Sequence, residues 1–134
     1  KINNHYNNRK MEFDIIILVC NRCFETWLLG CKGLYPKETV ERDSFFYPYY
    51  NHYNIEDCNP EAMLAPEKVD ETTAKYHFHY LHELLRYKKI RYSKSNPKNI
   101  ATSEYFNGIV ERINTTKDLQ TFKEFYDFIF SVKL

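Results

Sequence analysis

Apolar residues follow two rhythms along this chain. From Phe13 to Val19 they run almost unbroken, Phe-Asp-Ile-Ile-Ile-Leu-Val, with many β-branched side chains. A short run of this kind suits a strand buried on both faces, in a sheet covered by helices. After the polar turn at Cys20-Asn21-Arg22-Cys23 the pattern turns helical, and residues 23–30 read as a short helix stopped by Gly30 and Gly33. Residues 31–71 keep no period, because Pro36, Pro48, Pro60 and Pro66 interrupt them. Within that region Phe45, Phe46, Tyr47, Tyr49, Tyr50 and Tyr53 either cover the sheet or make one helical turn, and Asn59-Pro60-Glu61 spells a helix start.

The helical rhythm then returns three times. Residues 72–89 form a helix capped by Thr72 or Thr73, with Tyr76, Tyr80, Leu84 and Tyr87 on one face and Leu81 and Leu85 beside them. A second helix runs from Thr102 or Ser103 to Asn114, its stripe made by Tyr105, Phe106, Ile109, Val110 and Ile113. A third runs from Lys117 to about Ser131, with Leu119, Phe122, Phe125, Tyr126, Ile129 and Phe130 along it. The two stripes are complementary, and the Thr115-Thr116 link suits an antiparallel pair. Residues 1–12 read as a loop or frayed end.

The expected fold is therefore α/β, mostly helical in this segment. Residues 1–71 form an α/β part with an irregular loop region, and residues 72–134 a helical segment packed on it. One strand cannot make a sheet, so the remaining strands are expected upstream. The chain begins at Lys1 rather than Met and reads as the carboxy-terminal part of a larger protein.

Composition narrows the classes. At 134 residues the chain is the size of one ordinary domain. Its net charge of +1 gives no global reason to expect nucleic-acid binding. Three glycines argue against a barrel of tight turns, and no glycine-rich phosphate loop is present. Heavy use of Asn, Tyr, Lys and Ile fits an AT-rich genome. No stretch approaches the ~20 apolar residues that span a bilayer, and the polar amino terminus is no secretory signal. A cytoplasmic location is therefore expected, with Cys20, Cys23, Cys31 and Cys58 reduced.

Four groups of residues carry candidate chemistry. Glu25 lies in the first turn of a helix just past a buried strand, the edge where ligands and catalysis collect in open α/β sheets. It reads either as a carboxylate for a hard divalent cation such as Mg²⁺ or as a structural group capping helix amides or pairing with Arg22. Cys20 and Cys23 form C-x-x-C, open to a zinc site completed from elsewhere, a redox pair, or simple packing of small apolar side chains. His77, His79 and His82 with Glu83 lack the H-E-x-x-H order and read as ordinary surface or interface histidines, or as part of a metal set completed elsewhere. The basic stretch Arg86, Lys88, Lys89, Arg91, Lys94 and Lys98 contains no acidic residue, and Tyr87 and Tyr92 are interleaved with it. Cations neutralise phosphates and tyrosines stack on bases, while Ser93, Ser95 and Asn96 add neutral donors. The same stretch also suits a solvated loop that balances acidic segments elsewhere.

The segment Asn21-Arg22-Cys23-Phe24-Glu25-Thr26-Trp27-Leu28-Leu29 resembles a motif of RloB-like and related Toprim-type bacterial proteins. In them a buried strand leads into Asn-Pro-Cys-Phe-Glu-x-Trp-Leu-Leu or a close variant. Glu25, Trp27, Leu28 and Leu29 match; Arg22 stands where the motif has Pro. Tyr92-Ser93-Lys94-Ser95-Asn96-Pro97 is loosely similar to the region downstream of the motif in such proteins. The resemblance implies the edge or remainder of a Toprim-like sheet followed by a helical part. It also implies Mg²⁺-dependent phosphoryl-transfer chemistry, commonly nucleic-acid cleavage, in a phage-defence setting. The upstream Glu and Asp-x-Asp of that family are not in this chain, so Glu25 would be the one inherited acidic residue and the chain would not catalyse alone. The competing expectation is a non-enzymatic interaction module, presenting the residue 45–53 aromatics and the last helix pair to a partner protein or a second copy.

Overall fold

A computed structural model describes residues 13–132 and is mostly helical. Five α-helices succeed one another: α1 Phe24–Leu28, α2 Tyr47–His52, α3 Thr73–Tyr87, α4 Ser103–Thr115 and α5 Gln120–Ser131. A 3₁₀ turn, Pro60–Ala62, lies between α2 and α3.

The three long helices fall close to where the apolar rhythm places them, because each of the first two carries its own start signal. Thr72 accepts the Lys75 amide and Thr102 the Tyr105 amide, each side chain satisfying one of the orphan donors of a first turn. The last helix starts at Gln120 rather than Lys117. Leu119 takes a left-handed conformation (φ 52°) and is fully buried, which breaks the helix before it. At Asn59-Pro60-Glu61 the cap forms as read, but the element is one 3₁₀ turn.

The expected sheet is absent among the described residues. The one bridge there joins Ser93 to Asn96 across a turn. Phe13–Val19 carries neither helix nor ladder, and Ile15 and Ile17 are 78% and 80% exposed. A strand exists only through the hydrogen bonds of a neighbour, and no described segment supplies one.

The five residues of α1 reach almost everything else. Thr26 bonds His77 of α3. Trp27 packs against Phe122 and Phe125 of α5, at 5.4 and 5.3 Å between ring centres. The Leu28 carbonyl accepts the Tyr105 hydroxyl of α4 at 2.8 Å. Glu25 meets Lys94 of the α3–α4 loop. So short a helix has little intrinsic stability, and these contacts hold it in place.

Arg112, wholly buried on α4, ties the irregular region to the helices. Its guanidinium donates to the Gly30 carbonyl at 2.7 Å, to the Ile55 carbonyl, and to Asp118 at 2.9 Å. Buried carbonyls outside regular structure need donors, and the planar five-donor fork serves several at once. Gly108 lets α4 approach this turn: a Cβ there would lie 2.6 Å from Cys31 Sγ, and its carbonyl accepts the Lys32 amide.

Of the residue 45–53 aromatics, Tyr47, Tyr49 and Tyr50 lie in α2 and Phe46 and Tyr53 flank it, and much of their surface is used internally. Phe46 is fully buried against Tyr80 and Tyr87 of α3, and Tyr49 lies against Tyr76 and Tyr80. The hydrophobic core runs from Trp27 to Phe122 without a break at residue 71, so both expected parts share it.

Candidate functional site: two clefts joined at Tyr92

Glu25 is 2% exposed, at the floor of a cleft of about 370 Å³ whose walls include Phe24, Leu28, Tyr92, Pro97 and Ile100. Its Oε1 lies 3.1 Å from Lys94 Nζ, whose side chain is 68% exposed. The ammonium also sits 4.9 Å above the Phe78 ring of α3. Lys94 thus reaches inward from the Ser93–Asn96 turn, held by a carboxylate and an aromatic face. The structural pairing considered from sequence, Glu25 with Arg22, is replaced by this one. Two segments 69 positions apart in the chain meet at one point.

Tyr92 also borders a second cleft, about 490 Å³, lined by His82, Arg86, Lys89, Ile90 and Arg91. Three of the six basic-stretch cations therefore gather in one place. Arg86 is held there by Glu83 at 3.0 Å and by stacking 4.0 Å over the Phe45 ring. Lys88 faces elsewhere, into a depression with Lys32 and Glu104. Lys98 is exposed and lines neither cleft. Of the two interleaved tyrosines, Tyr92 is at the site, whereas Tyr87 packs on Phe46 and donates to Glu38.

The histidines separate. His77, fully buried, joins α1 to α3 and to the loop after the 3₁₀ turn. Its Nε2–H donates to the Met63 carbonyl at 2.8 Å, so Nδ1 accepts the Thr26 hydroxyl at 2.7 Å. Burial lowers its pKa below the ordinary value, and the ring is neutral. Both nitrogens are engaged, which leaves none for a metal. His79 pairs with Glu71 at 2.8 Å, not with Glu83, while His82 lies 3.6 Å from Glu83. The expectation of surface or interface positions thus fails for His77.

The cysteines are free thiols among the described residues. Burial pushes Cys20 up to about 11, and the Cys23 thiol is raised as well, again chiefly by burial. Cys23 Sγ donates to the Ala74 carbonyl. Thiols held protonated in this way are poor nucleophiles, and the packing reading fits them best. No group of three or more His, Cys, Asp and Glu side chains gathers among the described residues.

Glu61 is a buried carboxylate whose sequence context marks it only as a helix-start residue. Its Oε1 accepts the Thr121 hydroxyl, which itself accepts Trp27 Nε1–H at 2.9 Å. That chain of bonds fixes the Trp27 ring, which packs edge-on against Phe24 of the cleft wall. The Asn-Pro-Glu start signal was legible, but only the fold brings α5 over it.

No protein-family model matches this chain, and no curated protein or solved structure does.

Proposed function

We propose that this chain is part of a Toprim-like, metal-dependent nucleic-acid-processing protein of the nuclease type, in a bacterial phage-defence setting. The observation that carries the reading is the adjacency of two clefts across Tyr92. One holds a buried carboxylate paired with a mostly exposed lysine, and the other gathers Arg86, Lys89 and Arg91. Cations grouped beside an aromatic ring suit a phosphate backbone and its bases. The exposed apolar residues of Phe13–Val19 support the sheet half of the reading, since a segment apolar on both faces gains most from strands on either side and covering helices.

Mg²⁺ is the cofactor this reading requires. The ion takes carboxylate oxygens, usually one or two from protein, and keeps several waters. Glu25 suits it as one ligand, because Lys94 is exposed enough to swing away. The other carboxylates would come from outside the described residues. When bound, the ion would neutralise charge developing on a phosphoryl group. This chain's residues would do the rest: Lys94, once released, would reach a phosphate oxygen, and Arg86, Lys89 and Arg91 would hold the backbone.

Fluorescence anisotropy with labelled single- and double-stranded oligonucleotides tests the reading. Replacing Arg86, Lys89 and Arg91 together should weaken binding and lower the salt slope by about 2 to 3. A protein that binds no nucleic acid, or binds it without salt dependence, excludes the role. Mg²⁺-dependent cleavage by the whole protein, lost in Glu25→Gln, would extend the reading to catalysis.

A second reading, a protein-interaction module, draws on the carboxy-terminal end of α5, where Ile129, Phe130 and Val132 are exposed. Self-association by light scattering in a protein that binds neither nucleic acid nor metal would favour it.

A further inference from the structure

The cleft at Glu25 offers an arrangement that a phosphate does not need. Its walls are apolar and partly flat, from Phe24, Tyr92 and Pro97. Its volume falls within the roughly 300–1,000 Å³ of small-ligand pockets. At its floor a carboxylate, an acceptor only, stands beside an ammonium, a donor only. A fitting ligand therefore has a planar body and one edge where donors adjoin an acceptor.

Every nucleobase sets one donor beside an acceptor, but guanine alone sets two neighbouring donors there and so alone can engage both oxygens of a carboxylate. Its N1–H and N2–H₂ are neighbouring donors, and O6 is the acceptor next to them. Adenine and cytosine present one amino donor beside a ring acceptor, and thymine presents one N–H between two acceptors. The geometry points to this cleft as a reader of an unpaired guanine, with Glu25 accepting from N1–H and N2–H₂ and Lys94 donating to O6. The ion pair need not break to do so, because O6 and N1 are adjacent on the base edge and the two charged atoms are 3.1 Å apart. Keeping the pair intact avoids leaving a buried carboxylate without a partner, which is costly. Phe24, 60% exposed at the rim, and Tyr92 provide apolar and aromatic faces for the base. Tyr92 is shared with the basic cleft, so the phosphates flanking the base have cations close by. Because the Watson–Crick edge must be free, the ligand is single-stranded.

The inference rests on the nucleic-acid half of the function proposed above. It does not rest on the metal half: a base held by both Glu25 oxygens leaves none for Mg²⁺, so the base-bound and metal-bound clefts are alternative states of the same site. The probes are fluorescein-labelled decamers of thymidine carrying one central guanine, adenine, cytosine or thymine, measured by anisotropy in EDTA and again in Mg²⁺. The guanine decamer should bind about tenfold more tightly than the others in EDTA, and by no larger a margin in Mg²⁺, which competes for Glu25. Glu25→Gln should lower binding of the guanine decamer to the level of the other three. Lys94→Met, a change on an exposed turn that weakens the fold only modestly, should reduce the guanine preference as well. Equal binding of all four decamers would overturn the base reading and leave the nucleic-acid reading standing. A preference seen only with Mg²⁺, or undiminished in Lys94→Met, would overturn it too. No binding by any decamer, single-stranded or annealed, would remove both readings together.

Discussion

Lys94 Nζ lies 3.1 Å from Glu25 Oε1, and this contact closes the α3–α4 loop over α1. The carboxylate is almost wholly buried and the ammonium mostly exposed, so the pair is screened on one side only. Replacing Lys94 by Met keeps the stem over Phe78 but leaves Glu25 without its cation. Stability should fall by about 1 kcal/mol, between the small worth of surface pairs and the larger cost of orphaning a buried charge. Urea unfolding measures it, and Lys94→Arg should restore most of the loss.

Arg112 is expected to be the most sensitive position in the fold. Lys at this site can serve one of the acceptors at Gly30, Ile55 and Asp118 but not all three. Arg112→Lys should cost about 3 kcal/mol or more, through unsatisfied buried carbonyls and an imperfectly placed buried charge. Near-UV circular dichroism and urea midpoints together distinguish loss of packing from a simple loss of stability.

His77 makes stability depend on pH. Its pKa is lowered by burial in the folded chain, so below the ordinary value near 6.5 the unfolded state binds the extra proton first. The contribution is fully present above about pH 6.5 and is lost as pH falls from there toward the depressed folded value. His77→Gln can donate to Met63 and accept from Thr26 without titrating. Urea midpoints at pH 7.5 and 5.5 should differ less in that variant than in the unsubstituted protein.

Arg22 tests the family resemblance directly. It adopts φ 74°, a conformation closed to proline, at the position where the motif has Pro. Arg22→Pro should therefore destabilise by at least about 1 kcal/mol, and Arg22→Gly should stabilise modestly. Thermal unfolding decides. A stabilised Arg22→Pro variant would mean that the turn takes the motif's geometry instead.

The long helices were readable because their signals are local. Thr72 and Thr102 cap the helices whose apolar stripes begin just after them, and Tyr80, Leu81, Leu84 and Leu85 are buried as their spacing requires. The Phe13–Val19 run was equally clear as a sequence pattern, yet a strand is defined by its neighbours, and none is present among the described residues. Glu25 was picked out by its apolar setting, and the basic stretch by its charge. That Lys94 belongs with Glu25, that Arg86, Lys89 and Arg91 share a cleft, and that Lys88 turns away could not be read from charge order. The path of the loop around Lys89, with its left-handed backbone (φ 58°), sets those directions.

By itself, then, the sequence determined the long helices and the buried face of α3, since caps and periodicity act over a few residues, whereas Phe106, Ile129 and Phe130 of the other two expected stripes are exposed. It also determined the inventory of charges near each helix. The tertiary structure alone decided which charges meet. A carboxylate on a five-residue helix and a lysine 69 positions later become partners only once α3, α4 and α5 have closed around Thr26, Trp27 and Leu28. Short-range preferences fix local conformation, whereas a buried ion pair between distant segments depends on the packing that brings its two ends together.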